Sequence, residues 1–332
     1  MNSIGIIANP ASGKDIRRLV SHATVIDNGE KTNIVERIVL GAQALGVDRV
    51  YMMADFHKMG DRVREKLKIS GELKCEIVVL DMINFNSMKD TLKATEIMEN
   101  NNVGCIVTLG GDGTNRAVAK IVKNVPLITI STGTNNVYPV MLEGTIAGMA
   151  AAAVTSNRVD NCICALKDKR IEIYKDNQLV DIALIDAVIS NDAFVGSKAI
   201  WDMETVEKIF VTRSHPASIG FSSIVGCKKT IVPEDDFGAY INVNTNGSKV
   251  IAPVAAGIME QITISEPVTL GFEEEIEYIA DDSGTIALDG EREIEFSKGQ
   301  RFIFKISRNG PYHVDVVKTL ETAQQNGFFQ VV

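Results

Sequence analysis

Apolar residues in the first half of the chain come in short runs at positions 4–8, 50–54, 75–80, 103–109 and 127–130, rich in β-branched side chains and bounded by turn residues. Runs of that length without polar alternation predict strands buried on both faces, the pattern of a parallel sheet. Between them the period changes. Ile34, Val35, Ile38, Ala42 and Leu45 recur at three- and four-residue spacing before Gly46, and Ser87 with Asp90 makes a capping-box pattern ahead of a helix over 88–99. Strands alternating with helices predict right-handed βαβ units.

Near Asn157 the pattern shifts to short strands separated by turns. Lys175-Asp176-Asn177 predicts a hairpin turn within 170–190, and Asn246-Gly247 predicts a second within 240–254. Further strands are expected at 268–272, 276–280, 285–288, 301–306 and 312–317. The expected fold class is therefore α/β plus all-β. A parallel-sheet nucleotide-binding domain spans 1–156 and a β-sandwich substrate domain spans 157–332. The C-terminal tail is expected to pack back on the first domain, and the active site is expected in the cleft between the two.

A length of 332 residues is enough for two cores. The net charge of -9, from 34 basic and 43 acidic residues, argues against nucleic acid or an anionic membrane as partner. The N-terminal apolar run has no basic flank and reads as a first strand, and the most membrane-like stretch, 144–154, is short and alanine-rich. A cytoplasmic protein with a small-molecule substrate is expected, assembled as a homo-oligomer. Of five cysteines, only Cys162 and Cys164 lie close together, and without further partners they predict no metal site.

Three glycine-containing loops follow predicted strands: Asn9-Pro10-Ala11-Ser12-Gly13-Lys14, Gly110-Gly111-Asp112-Gly113-Thr114, and Ser131-Thr132-Gly133-Thr134-Asn135-Asn136. Ligands of open α/β sheets bind at the carboxyl ends of the strands, so the three should converge. Each alone is also what a tight strand-to-helix turn requires. Ser12-Gly13-Lys14 imitates the end of a Walker A motif, but no glycine stands five residues before Gly13, and Asp15 replaces the Ser or Thr that would hold Mg²⁺. The glycines at 110, 111 and 113 do not fit a dinucleotide GxGxxG either. A lone carboxylate, Asp112, amid backbone suited to anions points to phosphate chemistry mediated by a proton or a metal ion.

These motifs resemble the superfamily of NAD kinases and diacylglycerol or sphingosine lipid kinases. Within it the chain is most similar to the AcoX-type, ATP-NAD kinase-like proteins, from "IGIIANPASGK" through "STGTNNVYP" and "SSIVG" to "GTIALDGERE". The resemblance implies an ATP-dependent kinase with Mg²⁺, acting on a hydroxyl of a small acceptor, with NAD the leading candidate. Another small metabolite, or a non-catalytic nucleotide-binding role, is the alternative. It implies that Asn9, Ser12, Gly13, Lys14, Gly110, Gly111, Gly113, Thr114, Thr132, Gly133, Thr134, Asn135 and Asn136 bind nucleotide. Asp112, Asp289 and Glu291 would be catalytic, with Mg²⁺ near Asp112 or Asp289. Asp289-Gly290 is equally the signal of a plain hairpin turn. Where NAD kinases carry an Asn-Glu pair and a Gly-Ser-Thr-Ala-Tyr segment, this chain reads Leu184-Ile185-Asp186-Ala187 and Gly220-Phe221-Ser222-Ser223, leaving Asp186 as the substrate-binding candidate. Arg17 and Arg18 read as a solvated helix face or a phosphate fork, and Trp201 and His215 as packing or substrate contacts.

Overall fold

The structure is a computed structural model that describes residues 2–12, 21–156, 159, 164–192 and 203–331. Gly13, Lys14, Arg17, Arg18, Cys162 and Trp201 lie outside the described residues. The first half alternates as the periodicity predicts: β1 (Ser3–Ala8), α1 (Asn28–Ala44), β2 (Arg49–Met52), α2 (Met59–Ile69), β3 (Glu76–Val79), α3 (Met88–Asn100), β4 (Cys105–Gly110), α4 (Asp112–Ala119), β5 (Leu127–Ser131) and α5 (Gly144–Thr155). Its five strands pair in parallel in the order β3-β2-β1-β4-β5. Helices cover both faces, which is why β4 and β5 are buried at every position. The capping box ahead of α3 forms as read, with the Ser87 amide donating to Asp90 Oδ2 at 3.0 Å.

The second half contributes β6 (Ala165–Lys167), β7 (Arg170–Lys175), β8 (Gln178–Ala183), β9 (Asp186–Ser190), β10 (Val206–Val211), α6 (Phe221–Gly226), β11 (Phe237–Ala255) and β12 (Ile258–Ile264). After these come β13 (Val268–Gly271), β14 (Glu275–Ile279), β15 (Gly284–Leu288), β16 (Glu291–Phe296), β17 (Arg301–Ser307), β18 (Tyr312–Val314) and α7 (Val316–Gln325). One antiparallel sheet runs β12-β11-β10-β9-β15-β16, with β13 on β11, and a second runs β14-β17-β7-β8. They face each other across a core that includes Ile173, Ile189, Phe210, Ile286, Phe302 and Phe304, where Phe210 stacks on Phe304 at 4.3 Å. The expected sandwich is thus present, and α6 seals the outer face of the first sheet with Phe221, Ile224 and Val225. No described helix is long and apolar enough to cross a membrane.

Three local expectations need correction. Asn246-Gly247 is no hairpin turn, because β11 runs through it. Val243 and Ser248 both pair with Ile264, so residues 244–247 bulge out of the ladder, and the turn comes instead at Ala256-Gly257. Gly247 is needed there for close approach, since a β-carbon would overlap the Ile264 carbonyl oxygen. The expected strand over 312–317 stops at Val314 and continues as α7, capped by Asp315, whose side chain accepts from the Lys318 amide at 3.0 Å. Nor does β18 belong to the sandwich. It lies parallel to β5 at the edge of the first sheet and carries β6 antiparallel on its far side.

Candidate functional site

The carboxyl ends of β1, β4 and β5 bring the three loops into contact through small polar side chains. Asn9 Nδ2 donates to Thr114 Oγ1 at 2.9 Å, and Ser12 Oγ lies 3.0 Å from Thr132 Oγ1. A β-carbon on Gly111 would stand 2.7 Å from Asn136 Oδ1 and one on Gly113 would stand 2.9 Å from Glu291 Oε1, so a larger residue at either position would displace these two polar side chains. Asn136 in turn donates to Ser131 Oγ at 2.8 Å, tying the third loop to its own strand. Thr134 turns outward and accepts from the Thr24 amide, whereas Asn135 accepts from the Ala256 amide at the tip of the β11–β12 hairpin.

Asp112 opens α4, where the helix macrodipole favours a carboxylate. Its oxygens accept from the amides of Val137 at 3.1 Å and Tyr138 at 2.8 Å, so the third loop fixes the acid of the second. It lines a cleft walled by both halves of the chain. Asp112, Asn135 and Val137 supply the wall from the first half. Asp186, Phe221, Ile258, Glu260 and Gly290 are among those that supply the opposite wall.

Asp289 also borders this cleft, but its carboxylate is held from behind. Leu184, Ile185 and Asp186 donate their amides to it at 2.7 to 3.3 Å, and Arg116 Nε stands 3.8 Å away. Burial raises its pKa, with the Arg116 charge and the three amides opposing. In this position Asp289 clamps the turn that leads into β9 and so sets where Asp186 stands. Asp289 itself takes a left-handed conformation (φ 50°) in the tight β15–β16 turn. His215 is exposed, and its Nδ1 accepts from the Ala217 amide within its own loop.

Three buried polar residues at the site escape a reading of the sequence. Lys31, 1% exposed, donates from Nζ to the carbonyls of Asn9 and Ser12, each at 3.0 Å. Asn115 links Thr108 (2.6 Å) to the Gly111 carbonyl (2.9 Å). Arg116, wholly buried, joins α4 to the sandwich through Glu293 at 2.6 Å and Asp181 at 3.4 Å. The available signal was a polar residue interrupting an otherwise buried helical stripe, as Lys31 does beside Ile34 and Val35.

A parallel α/β domain edged by glycine loops and followed by a β-sandwich defines a protein of the NAD kinase-like fold. Residues 4–159 match the ATP-NAD kinase N-terminal domain family, and residues 169–309 match the acetoin catabolism protein X C-terminal domain family. Acetoin catabolism protein X of Cupriavidus necator is 33% identical, the alignment covering 96% of this chain and 92% of that protein. The chain therefore belongs to the acetoin catabolism protein X family. Among solved structures, yeast NADH kinase complexed with NADH shares the fold at 14% identity and a TM-score of 0.53, covering 98% of this chain and 87% of that one.

Proposed function

We propose that this chain is an ATP-dependent phosphotransferase that passes a phosphoryl group to a hydroxyl of a small soluble acceptor, with NAD or NADH the first acceptors to test. One observation carries the reading: Asp112, fixed by two amides and set among three converging glycine loops, faces a cleft walled by both halves of the chain. The Asn9, Ser12, Thr114 and Thr132 side chains and the backbone around Gly110 to Gly113 would receive the nucleotide phosphates. Asp112 would take the proton of an acceptor hydroxyl as the oxygen attacks phosphorus, or act on the transferring phosphate through a bound metal ion.

Mg²⁺ suits this donor set. Among the described residues no three His, Cys, Asp or Glu side chains gather into a closed metal cage. Mg²⁺ in phosphoryl transfer takes one or two carboxylates and completes its shell with phosphate oxygens and water. Asp112 and Asp186, which line one cleft, would hold it, whereas Asp289 has its oxygens committed to three amides. The bound ion would neutralise phosphate charge as the phosphoryl group moves.

The test is turnover of MgATP against a panel of acceptors including NAD and NADH, with product mass measured, for wild type and Asp112→Asn. Transfer by the variant should fall at least about 100-fold with ATP affinity retained, because base or metal positioning acts mainly in the transition state. Near-normal transfer by Asp112→Asn would remove Asp112 from the chemistry.

A further inference from the structure

The geometry points to Lys31 as a positioning residue for the phosphate end of this cleft, holding the first loop in the shape that brings the three loops together; the inference rests on the phosphotransferase reading above. Lys31 is the fourth residue of α1, where the positive end of the helix macrodipole opposes a cation, and it is 1% exposed. An ammonium in that place is costly on both counts, so its contacts must return something. Nζ donates to Asn9 O (3.0 Å), Ser12 O (3.0 Å) and Asn28 Oδ1 (3.2 Å).

Two of those acceptors are main-chain carbonyls of the loop that ends β1. The side chains of the same two residues reach outward, Asn9 to Thr114 of the second loop and Ser12 to Thr132 of the third. Within the loop, the Ala11 amide donates to Asn9 Oδ1 (2.9 Å) and Ser12 Oγ donates to Asn9 O (2.8 Å). One buried ammonium thus fixes the main chain whose side chains join all three strand ends. Holding that main chain in shape acts on the phosphates of a bound nucleotide and not on its nucleoside.

The experiment is calorimetric titration of the full-length protein with MgATP, MgADP and adenosine, for wild type and Lys31→Met, with thermal unfolding recorded for each. Lys31→Gln, which keeps N–H donors without the charge, covers the case in which the methionine variant does not fold. For a folded variant, ATP affinity should fall about 10- to 100-fold, the range for losing hydrogen bonds to a charged group, with adenosine affinity changed less than about twofold. Unchanged ATP affinity in a folded variant overturns the assignment, as does an equal loss for ATP and adenosine. Failure of both variants to fold would make Lys31 a structural residue only. Wild type that binds neither ATP nor ADP at millimolar concentration would instead overturn the phosphotransferase reading itself.

Discussion

Asp168 illustrates how a single buried charge can be kept in this chain. Burial pushes its pKa up, but the Arg213 guanidinium at 2.9 Å, the His313 ring at 3.4 Å and the Tyr138 hydroxyl at 2.6 Å overcome that and hold it at about 2. The folded value lies below the ordinary 3.8, so the carboxylate's contribution is complete above that pH and is lost as pH falls toward about 2. Asp168→Asn should therefore destabilise the protein at neutral pH by about 3–5 kcal/mol, the cost of breaking a buried pair. In urea titrations at stepped pH the gap between wild type and variant should narrow below about pH 4. A gap independent of pH would mean that the carboxylate's charge is not what stabilises. The residue matters to the site because Tyr138, locked by Asp168 and stacked on His313, is also the residue whose amide holds Asp112. None of this was legible in the sequence. The glycines, Asp112, Asn135 and Asn136 announced themselves through local spacing, but Asp168, Arg213 and His313 have partners many tens of residues away, and nothing local marks them.

At the scale of elements, what was legible is what the chain encodes locally. Strands β1, β4 and β5 read correctly because burial on both faces leaves unbroken apolar runs, and the β7–β8 turn because Asp176 and Asn177 tolerate their positive φ of 51° and 60°. The three-residue strand β6 was hidden, since a strand that short is defined by its neighbour rather than by its own pattern, and β18 was read but given three residues too many. Glycine spacing in α5 was read only as composition, although it sets how closely α5 approaches α1. A β-carbon on Gly144 would stand 2.7 Å from the Ile34 carbonyl oxygen, and one on Gly148 would overlap the Ile38 carbonyl oxygen. Gly148→Leu should accordingly cost at least about 1–3 kcal/mol in urea unfolding, as overpacking does in close-packed interiors. Ile146→Ala, on a more exposed position of the same helix, should change stability by less than about 1 kcal/mol. Equal effects at the two positions would mean that α5 is not held by close backbone contact.

The molecule as a whole is interlocked in a way that two consecutive domains would not be. After the sandwich is complete the chain returns, places β18 beside β5 and lays α7 near α5, so that Ala323 packs with Ala153 and Cys164. The Asp315 amide donates to the Cys164 carbonyl at 2.9 Å, and β6, which leaves the first domain, pairs with β18, which re-enters it. At the same junction Arg116 carries a buried charge from α4 into the sandwich, onto Glu293 and Asp181. Neither half can then unfold without uncovering the edge of β5 or leaving a buried guanidinium without its carboxylates, and both are costly. Wild type should consequently unfold in one calorimetric transition, with the calorimetric enthalpy close to the van't Hoff enthalpy, despite a length at which domains often separate. A chain ended after Gly310 lacks β18 and α7 and deprives Asp168 of His313, so its transition should broaden or split and begin at lower temperature. Two resolved transitions in the wild type would show that the return strand does not couple the halves. The cleft would then be a junction of independent bodies, and Asp112 would owe its position to the first domain alone.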